Sequence, residues 1–187
     1  MAHINVPEGV PGIRSLVMFR PETGKPLYEL AQILLRGGDS PLTEAEREII
    51  AAHVSNRNNC MFCRDSHAAA ARCLLGNEGT LVDDVIGDPG TADLSPKMHA
   101  LLNIAGKVQI MGTEVKQPDI DAARAAGAND RDIHDTVLIA ATFSMFNRYV
   151  DGLASLTPTD PKAYEEMGKR MAEKGYSIPA PVTSNTN

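Results

Sequence analysis

Apolar residues recur along this chain at helical spacing, and strand-like alternation is not evident anywhere. Leu27, Leu30, Ala31, Ile33, Leu34 and Leu35 mark a first helix that Pro26 suits as a start and Gly37-Gly38 ends. Thr43 followed by Glu46 has the spacing of a capping box, with Glu44 and Glu48 adding negative charge near the helix start. This pattern predicts a helix from about Glu44 to Ser55 whose apolar residues Ile49, Ile50, Ala52 and Val54 face more than one side, so that it is buried among several neighbours. On it, Glu48 and Ser55 are seven apart and nearly eclipsed, which makes Glu48 the acid expected to point inward. A next helix runs through AAAARCLLG and stops at Gly76. Ser95 caps another, with Pro96 as its first residue, through Met111. A short helix near Pro118 to Ala126 precedes a long one from Asn129 or Asp130 to about Leu156, apolar over Val137 to Phe146. The last, about Pro161 to Glu173, is charged and reads as peripheral.

The organisation that follows is one all-α helical domain over residues 27–175, preceded by an extended arm over 1–26 and followed by a flexible tail over 176–187. Within the arm, Ile13 to Phe19 is a short apolar run and RPETGKP a turn-rich connection. With 187 residues there is room for one substantial core, and 4% aromatic content without tryptophan means Ala, Leu, Ile, Val and Met must build it. A net charge of -6 gives no support for a nucleic-acid surface. No stretch approaches the roughly 18 apolar residues of a membrane span and no signal-peptide pattern opens the chain, so a cytoplasmic protein is expected.

The chemistry concentrates in NNCMFCRDSH, residues 58–67. If helical, Cys60, Cys63 and His67 share an arc of about 60° on one face. Asn59 is the expected cap, with Cys60 in the first turn. Thiolate is the reactive form of cysteine, and a helix N-terminus or an imidazole favours it. One Cys can form a sulfenic acid and the other condense with it to a disulfide, while His67 accepts a proton and Glu48 orients the imidazole. By dipole alone Cys60 competes with Cys63 as nucleophile, and the residues leave that choice open. Zinc is a rival reading, since two thiolates, an imidazole and a carboxylate make a tetrahedral set, but a structural CxxC knuckle sits in a turn and there is no second CxxC. Arg64 after the CxxC excludes the usual haem attachment. Cys73 reads as a small core residue, His3, His53, His99 and His134 as surface or packing residues, and Arg148 with Asp151 as a surface ion pair.

Glu48, eleven residues, then CxxCxxxH resembles the carboxymuconolactone decarboxylase family, in its alkyl hydroperoxidase D (AhpD)-like, peroxidase-related branch. The specific likeness covers residues 42–75, in EREIIAAHVSNRNNCMFCRDSH, and FSMFNRYVDGL is similar to the family's closing helix. The resemblance implies an AhpD-like helical bundle assembling as a homotrimer or homohexamer, with no haem, flavin or other cofactor and no metal. It implies an antioxidant dithiol peroxidase acting on organic or hydrogen peroxide and recycled by a lipoyl-bearing or thioredoxin-like reductant. On it, Cys63 attacks the peroxide, Cys60 resolves, His67 is the base and Glu48 the acid behind it. Well-studied members carry a histidine where this chain has Phe62. The alternatives are a lactone-acid decarboxylase, as in the family's namesakes, which do not depend on a CxxC pair, and a non-catalytic redox-sensing or zinc-binding module.

Overall fold

The computed structural model describes residues 1–76 and 79–176, and among these the regular structure is helical. The helices are α1 (Ile13–Phe19), α2 (Pro21–Arg36), α3 (Glu44–Arg57), α4 (Met61–Leu74), α5 (Leu81–Gly87), α6 (Pro96–Ile110), α7 (Gln117–Ala125), α8 (Asp130–Gly152) and α9 (Pro161–Lys174), with a single 3₁₀ turn at Gly112–Glu114. The all-α expectation holds.

Helix α3 occupies the centre. Its capping box forms as its sequence predicts, with Thr43 Oγ1 accepting from Glu46 N and Glu46 Oε2 accepting from Thr43 N. From Arg47 to Ser55 every residue is buried, because α4, α6 and α8 pack around α3 on different sides. The main apolar core lies there, with Ile50, Val54, Leu101, Ile104, Ile139 and Phe143 almost wholly removed from water. Asn129 caps α8 and Ser95 caps α6 through side-chain acceptors, as expected.

Several boundaries differ from the sequence reading. Residues 13–19 and 21–26 of the expected arm are helical, and α2 starts at Pro21 with Pro26 inside it. Pro21 is a favourable first residue that the apolar count does not register, and Pro26, in the second turn, lacks the N–H that would donate to the Glu22 carbonyl. Asn59 does not cap α4. It takes the left-handed conformation (φ 57°), which Asn tolerates, and Cys60 is itself the N-cap residue, without a side-chain capping bond. Helix α8 ends at Gly152, short of Leu156. Cys73 is half-buried and not a core residue. Arg148 donates to the Ser144 carbonyl one turn back, and among the described residues it forms no pair with Asp151. His53 is a packing residue whose pKa is lowered to about 4, by burial first and by the Arg57 charge second.

Helix α9 is not peripheral. Its charges other than Arg170 lie outward, while Tyr164, Met167 and Met171 form a second apolar cluster with Phe62, Ala69 and Val150. The α4–α9 approach depends on Gly168, where a Cβ would stand 2.6 Å from the backbone carbon of Ala69. Gly168→Ala is therefore expected to cost about 1–3 kcal/mol by forcing the helices apart, outweighing the gain in helix propensity. A fall in the midpoint of thermal unfolding, with two-state behaviour retained, is the result to look for.

Candidate active site

The α3–α4 corner sets the site. Cys60 N donates to the Ser55 carbonyl (3.0 Å), which folds the chain back so that α4 starts against the end of α3. Cys60 is fully buried at this corner, and Cys63, one turn along, is 3% exposed. Cys63 faces a cavity of about 50 Å³ that His67 and Ser66 also line, with Phe62, Phe143 and Met171 among its apolar walls. Cys60 is not in that lining.

Glu48 projects from α3 to meet His67 on α4. His67 Nδ1 donates to Glu48 Oε2 at 2.6 Å, which leaves Nε2 as the nitrogen able to accept a proton. The ring is held edge-on against Phe143, with centroids 4.5 Å apart. The other carboxylate oxygen, Oε1, accepts from Arg36 Nη2 at 2.7 Å and from Tyr176 Oη at 2.5 Å. Burial pushes the Glu48 carboxyl upward, but His67, Arg36 and Tyr176 together outweigh it and hold it below the ordinary glutamate value. Glu48 is thus a buried carboxylate whose partners are all donors. Tyr176 is raised well above the usual tyrosine value by burial and by the Glu48 charge, so it stays a neutral donor.

The cysteine pair is held differently. The Cys63 thiol is raised well above its ordinary value by its hydrogen bond to Cys60 and by burial, with a further contribution from the Cys60 charge, while Asn147 acts in the lowering direction by hydrogen bonding. Asn147 is fixed by its own partners, donating to Ser55 Oγ (3.0 Å) and accepting from Asn58 Nδ2 (2.8 Å). An α3 hydroxyl and an α8 amide therefore buttress the thiol pair.

All four residues singled out in the sequence come together in one buried layer, as two linked pairs: Cys60 with Cys63, and Glu48 with His67. Three residues that contact these four are not singled out by the sequence reading. Arg36 reads as an ordinary cation at a helix end, Asn147 as a polar break in the α8 spine, and Tyr176 as the start of the tail. Tyr176 reaches the site because Gly175 adopts φ 63° and ψ −151°, a conformation open essentially to glycine, which lets Tyr176 N donate to Gln32 Oε1 at 2.7 Å. The rest of the expected tail, residues 177–187, lies outside the described residues.

Phe62 lies immediately before Cys63 on α4. Its ring lies over Gly12 (φ 55°), where a Cβ would come 2.0 Å from it, and packs obliquely on Tyr164. That position is an apolar wall here. Among the described residues, no three His, Cys, Asp or Glu side chains are arranged to hold a metal ion, and both oxygens of Glu48 are already engaged by side-chain donors. No described helix is long and apolar enough to cross a membrane.

The model of the carboxymuconolactone decarboxylase family matches residues 21–107, a span that contains Glu48, Cys60, Cys63 and His67. Among solved structures, a peroxidase-related protein from Silicibacter sp. TM1040 is 29% identical, with a TM-score of 0.74 over 83% of this chain and 79% of that one. An AhpD-core, peroxidase-related protein from Ralstonia eutropha JMP134 is 26% identical, with a TM-score of 0.78 over 90% of this chain and 96% of its own. A protein of unknown function from Agrobacterium tumefaciens, at 20% identity and a TM-score of 0.70 over 86% of this chain and 100% of that one, shares the fold. No curated protein matches the chain. The fold is that of the AhpD-like, peroxidase-related proteins. The likeness to the carboxymuconolactone decarboxylase model lies in residues 21–107, a little under half of the chain.

Proposed function

We propose that this protein is a dithiol peroxidase, reducing organic or hydrogen peroxide through a Cys60–Cys63 disulfide cycle in antioxidant defence. The observation that carries this reading is the cavity wall shared by Cys63 and His67, with the His67 Nδ1 proton committed to Glu48. His67 Nε2 accepts the Cys63 proton, and the thiolate attacks the peroxide. The S–O bond forms as the O–O bond breaks, the departing oxygen takes the proton, and the sulfur is oxidised by two electrons to a sulfenic acid. Cys60 then attacks that sulfur, forming the disulfide and releasing water. A lipoyl-bearing or thioredoxin-like dithiol returns the pair to thiols, which suits a reducing, cytoplasmic setting.

The peroxidase names of the 26% and 29% identical neighbours agree with this reading. A homotrimer or homohexamer is the proposed assembly, and exposed apolar side chains such as Ile33 (67%) and Ile110 (62%) give it surface to bury. Solution mass measurement reads this directly.

The test is a stoichiometric pulse of tert-butyl hydroperoxide on metal-free, reduced protein, followed by thiol titration and peptide mapping. Loss of two thiols per chain with a Cys60–Cys63 cross-link is expected. If both thiols survive the pulse, the peroxidase reading fails.

A further inference from the structure

We propose that the cavity beside Cys63 selects hydroperoxides that carry a carboxylate, with Arg14 and Arg170 binding that anion. The proposal rests on the peroxidase reading for its reaction, and on the cavity alone for its binding site. Arg14 on α1 and Arg170 on α9 both line the cavity, and no Asp or Glu does. Among the described residues, the Nε of each is buried without a hydrogen-bond partner. A buried guanidinium donor left unpaired is costly, and a planar carboxylate is the group whose two oxygens match its fork.

The surroundings sharpen the choice. The two guanidinium charges act on the same hydroxyl, that of Tyr28: burial raises its pKa, and Arg14 and Arg170 partly oppose the rise. They therefore converge from two helices on one wall. Arg36 differs from them, because its charge is spent on Glu48. In a chain of net charge -6, two cations kept clear of acids beside an otherwise apolar pocket are poor candidates for generic solubility. At about 50 Å³ the cavity is smaller than a six-carbon acid, so such a substrate enters only as the apolar side chains between Cys63 and the arginines shift. The reaction would convert a short hydroperoxy acid to the hydroxy acid and water, with both electrons coming from the two thiols.

Two arms test this. In the first, 6-hydroperoxyhexanoate and its methyl ester are compared by their second-order rate constants for thiol loss. The acid is expected to react at least about tenfold faster, and the ratio to fall toward one in Arg14→Gln and in Arg170→Gln, while Arg14→Lys and Arg170→Lys, which keep the charge without the planar fork, retain only part of it. An unfolded chain would also treat acid and ester alike, so far-UV circular dichroism and the thermal midpoint of each variant are read alongside the ratio. In the second arm, which needs no peroxide chemistry, millimolar hexanoate should slow alkylation of Cys63 by iodoacetamide, whereas hexanol should not. Protection by hexanoate that the Gln variants lose supports the carboxylate site even if no hydroperoxide oxidises the pair, an outcome that would overturn only the peroxidase reading. Equal protection by hexanoate and hexanol, or an acid-to-ester ratio near one in the unaltered protein, overturns the carboxylate site.

Discussion

Cys63→Ser is expected to lower peroxide reduction by about three orders of magnitude or more, whereas Cys60→Ser should allow one oxidation and then stall with sulfenic acid trapped at Cys63. Two features pull in opposite directions on this polarity. Cys60 is the N-cap residue of α4, where the helix dipole most favours a thiolate. Cys63 is the sulfur on the cavity wall, and Cys60 is fully buried away from it. Access decides, since a thiolate that no peroxide reaches does not react. The cost is a Cys63 thiol raised above its ordinary value by Cys60 and by burial, so that it is mostly protonated near neutrality and needs a base. His67→Asn should accordingly slow the first oxidation by about 10²–10⁴-fold, and its residual rate should climb roughly tenfold per pH unit as the thiolate fraction grows. Mass spectrometry after trapping with a sulfenic-acid reagent reads the polarity. An adduct on Cys60 in Cys63→Ser, with an undiminished first-turnover rate, would reverse the assignment.

The parts of this site legible in the sequence are those whose partners lie on the same helix or on the one before it. Cys60, Cys63 and His67 are set by helical spacing alone, and Glu48 follows from a helix buried on every side, where an acid must find a donor. Arg36, Asn147 and Tyr176 are not legible that way. Asn147 and Tyr176 come from elements remote in sequence, and local pattern carries no record of which distant face they meet, while Arg36, on the helix just before α3, reads as a solvated helix-end cation. Tyr176 shows the difficulty best, because it reaches Glu48 only after the chain turns at Gly175, beyond the last periodic segment. Helix α9 departs from the sequence expectation for a related reason. A charged helix with a narrow apolar stripe looks peripheral until Gly168 is seen to bring that stripe against α4.

Glu48→Gln is expected to damage both the fold and the chemistry, and a second substitution separates the two. The Arg36 side chain is only 5% exposed and its nearest acid is Glu48 at 2.7 Å, so removing that charge leaves it Glu44 at 3.8 Å and the Leu35 and Met171 carbonyls, a loss of about 3 kcal/mol. Combining it with Arg36→Met removes the stranded charge and should recover much of that stability, because apolar replacements of buried ion pairs are often tolerated. Peroxide reduction should stay depressed by about a hundredfold or more in both, since neither variant keeps a carboxylate to hold the His67 Nδ1 proton and support the imidazolium. The pH dependence gives an independent reading. The folded Glu48 pKa lies below its unfolded value of roughly 4.3, so its stabilisation is complete above that pH and is lost as pH falls through the folded value. The unaltered protein should therefore lose stability on acidification across that window, and Glu48→Gln should show a shallower slope there. Equal acid slopes in the two proteins would mean that Glu48 is not the ionised group on which Arg36, His67 and Tyr176 converge.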